Sequence, residues 1–171
     1  CNLFRTKLVR RKDTNKLKIH LFTLPRWFAI PFFGSSILMG VLLAGGSLGS
    51  PHIWLGFLAG MFLMAGGHSF NSFLDYAWTG LDKGEVVNRS AEKSYTGGQN
   101  VIETGQVSLR GVLYNALSWY ALALILLIII GGWIILIGIL GMLTTFWYSK
   151  AKFNYTHELA LGVAVGPIAV L

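Results

Sequence analysis

Charged residues are scarce in this sequence. Only 12% of its 171 residues are Asp, Glu, Lys or Arg, and 54% are hydrophobic. Soluble domains carry about 25% charged residues, so the composition excludes an ordinary soluble domain and points to lipid. The single cysteine excludes an internal disulfide bond. A signal peptide is not recognisable either, because the basic N-terminal arm leads into a segment long enough to span a membrane.

Long apolar runs, by contrast, are abundant. A helix needs about 20 predominantly apolar residues to cross a hydrocarbon core of ~30 Å. Runs of about this length cover residues 27–44, 53–74, 112–130, 133–147 and 159–171. They predict an all-α fold, a polytopic transmembrane helical bundle with about five spans. A basic arm, residues 1–26, precedes this bundle.

The two ends of the sequence also carry information. It begins with Cys1 rather than Met, and it ends inside the apolar stretch "ELALGVAVGPIAVL" without a polar exit. We therefore expect the chain to be the N-terminal part of a longer protein. Its transmembrane domain, residues 27–171, would be incomplete at the C-terminus.

The distribution of positive charge predicts the topology. Eight of the 14 Lys and Arg residues lie in residues 5–26, four in 83–110 and two in 150–152. Cytoplasmic loops carry the excess of Lys and Arg. With alternating spans, the N-terminus, a lid loop over about 76–110 and the loop at 149–157 face the cytoplasm. Contact with anionic lipid explains the basic arm more simply than nucleic-acid binding, so we expect no nucleic-acid partner.

The stretch "GGHSFNSFLDYAWTGLD" places polar groups at the end of the second apolar run. At about 100° per residue, Asn71 and Asp75 lie about 40° apart on one helical face. Asp82 returns to within about 20° of Asn71 if the helix continues past Gly80. Two nearby carboxylates repel unless a cation lies between them. Oxygen ligands of this kind suit Mg²⁺, which binds one or two carboxylates together with substrate phosphates, although the same residues could simply cap the helix at the membrane interface.

A second group of side chains is cationic. Arg89 and Lys93 lie four residues apart in the predicted lid, and Lys150 and Lys152 lie in the next cytoplasmic loop, beside Tyr148. If the spans form a bundle, these side chains face the Asn–Asp cluster from the same side. A metal-binding acidic cluster surrounded by cations suits a diphosphate, whose negative charge grows as it leaves. Glu158 could bind a substrate or occupy a helix N-terminus, where an acid is favourable.

Several segments, in this order, resemble the UbiA superfamily of intramembrane prenyltransferases. "LPRWFAIPFFGSSILMG" resembles its first span, with Arg26 near the start, and "NSFLDYAWTGLD" resembles its first Asp-rich motif. The continuation through "NRS" and "GGQNVIETGQVS" is similar to the menaquinone-type branch, the 1,4-dihydroxy-2-naphthoate prenyltransferases. "FWYSKAKFNYTHELALGVAVGPIAVL" resembles the later Tyr- and Lys-containing segment. Ser72 departs from the pattern, since many members have a second Asp there.

The resemblance implies about nine transmembrane helices in the full fold and a cytoplasm-facing cavity. It implies Mg²⁺-dependent transfer of a prenyl group from a polyprenyl diphosphate to an aromatic acceptor, as in quinone biosynthesis. It assigns metal and diphosphate binding to Asn71, Asp75 and Asp82, the two Asp residues being catalytic. Further substrate-binding residues are basic or aromatic: Arg26, Arg89, Lys93, Tyr148 and Lys150. A second Asp-rich motif would lie beyond this chain, so we expect this part alone to be inactive.

Two other classes of function stay open from the sequence. A small cation transporter subunit would use Asn71 and Asp75 to bind a passing ion. Transporter sites usually lie near the bilayer midplane, whereas this polar cluster lies at an edge. A non-catalytic helical half-bundle would follow if these 171 residues were the whole protein.

Overall fold

The computed structural model describes residues 19–80, 101–102, 105–152 and 156–165. Within these ranges all regular secondary structure is helical. The α-helices are α1 (Ile30–Leu43), α2 (Pro51–Leu74), α3 (Leu109–Ile130), α4 (Ile134–Ala151) and α5 (His157–Val165). The predicted all-α helical bundle is confirmed.

Three helices of the described ranges have the length and apolar composition of membrane spans. They are α2 together with the turn after it, Pro51–Thr79, and the two helices α3 and α4. The first predicted span is shorter than expected, because a 3-10 turn at Trp27–Ala29 precedes the 14 residues of α1. The fifth predicted span is described only over the nine residues of α5.

The helix boundaries near the polar end follow from local chemistry. Ser108 caps α3, because its Oγ accepts a hydrogen bond from the backbone N–H of Gly111 at 3.1 Å. Such a cap satisfies a donor that has no partner within the helix. After α2, residues Asp75–Thr79 form a π-helical turn that ends at Gly80. Gly80 has a φ of 68°, a left-handed conformation that costs little without a Cβ. The regular helix therefore ends before position 82.

Helix α2 is the central helix. It packs against α1, α3 and α4, and its most extensive contact is with α3. The close approach to α1 depends on Gly60, where a Cβ would lie 2.4 Å from the Cδ1 of Ile37. Small residues at such crossings let helices pack closely in membranes. Because α2 has helices on several sides, its polar C-terminal end lies among their ends, at one end of the bundle.

A buried apolar cluster holds the polar end together. It joins residues before α1 with residues before and within α3: Ile19, Leu24, Val101, Ile102, Val107 and Val112. Part of the predicted lid thus packs into this cluster through Val101, Ile102 and Val107. Residues 81–100 and 103–104 of that lid lie outside the described residues.

The outward surface of α3 and α4 is apolar. Large hydrophobic side chains stay exposed along both helices: Ile125, Ile128, Ile129, Leu136, Leu140 and Leu143. Exposed apolar surface of this extent marks contact with a membrane or with other protein surfaces. It agrees with the assignment of α3 and α4 as membrane spans.

Candidate functional site

Polar side chains from three elements meet at one end of the bundle. Asn71 and Asp75 come from the end of α2 and its π-helical turn, and Tyr148 and Lys152 come from the end of α4. Arg26 comes from the segment before α1. Since α2 and α4 pack against each other, their C-terminal ends bring these side chains together.

Asp75 is the buried centre of this group, with only 1% of its surface exposed. Its Oδ2 accepts a hydrogen bond from the Nδ2 of Asn71 at 3.0 Å. The same oxygen forms an ion pair with the Nζ of Lys152. Its other oxygen, Oδ1, is buried and has no hydrogen-bond partner among the described residues. One carboxylate oxygen is therefore fully engaged, and the other is a buried acceptor that can take a ligand.

Asn71 is held on both sides. Its Nδ2 donates to Asp75, and its Oδ1 accepts a hydrogen bond from the Oγ of Ser149 at 2.9 Å. The two hydrogen bonds agree on the orientation of the amide, with its nitrogen towards Asp75 and its oxygen towards Ser149. The predicted contact between Asn71 and Asp75 on one helical face is present.

Lys152 is the member of the predicted cationic group that the structure brings to Asp75. It follows α4 as the C-cap residue, and its Nζ lies 5.3 Å from the centre of the Tyr148 ring. Lys150, to which the family resemblance assigns substrate binding, is exposed. Helical spacing favours Lys152 over Lys150, because residues four apart share a face whereas Lys150 lies about 200° from Tyr148.

Arg26 reaches the site through an uncommon backbone conformation. Its φ is 55°, a left-handed value that few residues other than glycine adopt. Its Nη2 donates a hydrogen bond to the Oγ of Ser72 at 3.4 Å. The hydroxyl of Ser72 thus helps to hold the guanidinium group of Arg26 at this end of α2.

Two adjoining cavities lie next to these side chains. The smaller one, about 160 Å³, is lined by apolar residues together with the polar side chains of Arg26, His68, Asn71 and Tyr148. The larger one, about 350 Å³, is mostly apolar and lies between α1, α2, α3 and α4. The linings of the two cavities share four residues: Phe33, Met64, Gly67 and Thr145. A ligand with a charged head and an apolar tail would fit such a pair of spaces.

Three predicted site residues are not described by the structure. Asp82, Arg89 and Lys93 are outside the described residues, so their roles stay predictions. Glu158 lies in the first turn of α5 and is exposed. In the described ranges no three His, Cys, Asp or Glu side chains lie close enough together to hold a metal ion between them.

One described atom is nevertheless suited to bind a divalent cation. The Oδ1 of Asp75 is a buried carboxylate oxygen without a hydrogen bond from the described part of the chain. Mg²⁺ commonly takes only one or two carboxylates and completes its shell with phosphates and water. Asp75 can therefore supply one ligand, and further ligands must come from a substrate or from residues beyond the described ranges.

A comparison with known protein families shows the family to which the chain belongs. The model of the UbiA prenyltransferase family matches residues 33–171. The chain belongs to the UbiA prenyltransferase family. No match was found among curated proteins or among solved structures.

Family membership fits the geometry of the site. This UbiA-family chain is an integral membrane protein of the intramembrane prenyltransferase class. The matched residues contain α2 and α4 and thus most of the polar group around Asp75. The transporter and half-bundle alternatives are not favoured.

Proposed function

We propose that this UbiA-family protein transfers a prenyl group from a polyprenyl diphosphate to an aromatic acceptor of the quinone-precursor kind. The observation that carries the proposal is the buried Asp75 carboxylate, with one oxygen unpartnered among the described residues. Its partner Asn71 lines the smaller cavity together with Arg26 and Tyr148, and this cavity adjoins the larger apolar one. An amphipathic substrate matches this arrangement. The prenyl tail would lie in the larger cavity, and the diphosphate would lie near Arg26 and Tyr148.

The reaction that we propose begins with cleavage of the allylic carbon–oxygen bond. The electron pair leaves with the diphosphate, and the allylic cation is captured by a ring carbon of the acceptor, which then loses a proton. Arg26 and Lys152 stabilise the growing negative charge of the leaving group. Asn71 holds the Asp75 carboxylate in place through its side-chain amide. The apolar lining of the larger cavity excludes water that would quench the cation.

We assign the metal requirement to Asp75 together with Asn71 and Asp82. When bound there, Mg²⁺ supplies positive charge that neutralises the diphosphate. The Oδ1 of Asp75 is the described atom best suited to hold it. Asp82 is assigned from the sequence pattern alone, as are the diphosphate contacts of Arg89, Lys93 and Lys150.

We further propose that the polar end of the bundle faces the cytoplasm. The Lys and Arg residues of the chain precede α1, lie between the end of α2 and the first turn of α3, or lie at the C-terminal end of α4. In the described residues these positions share the end of the bundle at which Arg26, Asp75 and Lys152 meet. The opposite connections, residues 44–50 and 131–133, carry no Lys or Arg. This asymmetry supports the orientation through the positive-inside rule.

Removal of divalent cations tests the proposed function. Membranes that contain the full-length protein are given a radiolabelled polyprenyl diphosphate and an aromatic acceptor. We expect prenylated product with Mg²⁺, no product after treatment with EDTA, and recovery when Mg²⁺ is restored in excess. Membranes without the protein are the control. Product formation that is equal with EDTA and with Mg²⁺ would refute the metal requirement, and cation flux without any product would favour the transporter alternative.

A further inference from the structure

The ion pair between Lys152 and Asp75 has a consequence for cation binding. The Asp75 side chain is 2% exposed, and the Lys152 side chain is 18% exposed. A buried carboxylate is costly unless it is paired. Lys152 therefore provides the opposite charge that a carboxylate at this depth requires.

The same ion pair obstructs a divalent cation. A metal ion on the Asp75 carboxylate and an ammonium group on its Oδ2 would carry like charges within a few ångströms of each other. Such charges repel strongly where water is largely excluded. The two cations therefore compete for one carboxylate.

The two ends of the ion pair differ in their freedom to move. Asp75 is buried and is fixed by the hydrogen bond from Asn71, which is itself fixed by Ser149. Lys152 lies at the end of α4, and its partly exposed side chain is long and flexible. Its Nζ also lies over the Tyr148 ring, 5.3 Å from the ring centre. Since cations are attracted to aromatic faces, this contact can keep the ammonium group close by when it leaves Asp75.

We propose that Lys152 is an exchangeable counter-ion for Asp75. It neutralises the carboxylate while no metal is bound, and a divalent cation binds only as Lys152 moves away. The displaced ammonium group stays near Tyr148, which lines the smaller cavity, and there it meets the incoming diphosphate. This inference rests on the proposed function in taking Asp75 as a metal ligand, and it adds an order of events: metal binding frees the cation that then contacts the substrate.

Loss of Lys152 then has effects of opposite sign on the two ligands. A substitution that removes its charge removes a competitor, so a divalent cation binds more tightly in the absence of diphosphate. Transfer from the prenyl diphosphate becomes weaker, because the substrate loses a contact. A residue that only stabilises the fold, or only binds substrate, would not tighten metal binding.

Titration with Mn²⁺ tests this proposal. Free and bound Mn²⁺ are measured by electron paramagnetic resonance on the purified full-length protein in detergent, without diphosphate. We expect Lys152→Gln to tighten Mn²⁺ binding about tenfold or more. The size follows from proton binding, because a cation beside a carboxyl group lowers its pKa by a unit or more, which weakens binding of the positive proton by the same factor. Arg110→Gln removes an exposed charge at the start of α3 and is expected to leave the affinity unchanged.

Two further variants make the result decisive. Lys152→Arg keeps the positive charge and is expected to bind Mn²⁺ no more tightly than the wild type. Lys152→Met removes the charge but keeps a long apolar side chain, is expected to tighten binding as Lys152→Gln does, and covers the case in which Lys152→Gln does not fold. Asp75→Asn is expected to abolish the site. If Asp75→Asn abolishes binding but loss of the Lys152 charge does not tighten it, the counter-ion proposal is wrong and the metal site stands. If Mn²⁺ binding does not depend on Asp75, both the metal assignment and the counter-ion proposal are wrong.

Discussion

Asp75 depends on a short chain of hydrogen bonds for its orientation. Ser149 donates to the Oδ1 of Asn71, and Asn71 donates to the Oδ2 of Asp75. Ser149 also lies 3.1 Å from the carbonyl oxygen of Thr145, and a hydroxyl group has only one proton to share between these two acceptors. The oxygen of the Asn71 amide thus depends on the one proton of the Ser149 hydroxyl, which comes from the neighbouring helix α4.

Removal of that donor is expected to loosen the metal site. In Ser149→Ala the amide can rotate, so the Asp75 carboxylate is held less firmly. We expect the Mg²⁺ concentration for half-maximal prenyl transfer to rise about fivefold, which corresponds to the loss of about 1 kcal/mol from one hydrogen bond. Ser118→Ala on α3, whose exposed hydroxyl donates to the carbonyl of Tyr114, is the matched control. An unchanged Mg²⁺ dependence in Ser149→Ala would show that the amide needs no such support.

The sequence predicted part of this residue-scale picture and missed the rest for a physical reason. Asn71 and Asp75 share one helix, so their contact follows from helical periodicity. Ser149 and Lys152 reach them from another helix, and the pairing of two helices depends on their packing. Helical spacing places Lys152 on the same side of α4 as Tyr148, but it does not show which helix packs against that side.

At the scale of elements, α2 combines both parts of the proposed substrate site. Along one side it lines the larger cavity with Gly56, Gly60 and Gly67, and the same side ends at Asn71 and Asp75. These residues recur at intervals of four or seven, as positions on one helical face do. A single helix would therefore align the prenyl tail with the diphosphate.

Gly56 offers a test of the tail position. A Cβ at this residue would meet no atom closer than the Cδ1 of Ile130 at 4.0 Å, so a larger side chain enters the cavity without displacing backbone. We expect Gly56→Leu to lower transfer from a long polyprenyl diphosphate about tenfold, as overfilling a packed site costs 1–3 kcal/mol. Transfer from a short allylic diphosphate should change little. The measurement is kcat/KM for the two substrates.

The control for that variant lies on the same helix. Leu58 is 41% exposed, so Leu58→Phe adds bulk to α2 without filling the cavity, and both substrates should react as in the wild type. An equal loss for long and short diphosphates in Gly56→Leu would contradict the tail position.

At the scale of the whole molecule, apolar length and charge distribution were enough to predict the all-α membrane bundle. The extent of the first span was less predictable, because Trp27–Ala29 form a 3-10 turn and leave α1 shorter than the apolar run. The paired cavities could not be predicted, since they arise from gaps between four helices. In the proposed reaction, the polar cluster at the end of an apolar helix would meet the charged head of the substrate, and the larger cavity would hold its tail.

The measurement that tests the central claim most directly is prenyl transfer by the Asp75→Asn variant. Wild type and variant are compared in membranes that contain equal amounts of full-length protein, at saturating Mg²⁺. Asn is close to Asp in size but lacks its charge, so we expect activity to fall by about 100-fold or more, as when one preorganised electrostatic contact is removed from an active site. Activity equal to that of the wild type would contradict the assignment of Asp75 to the metal–diphosphate site.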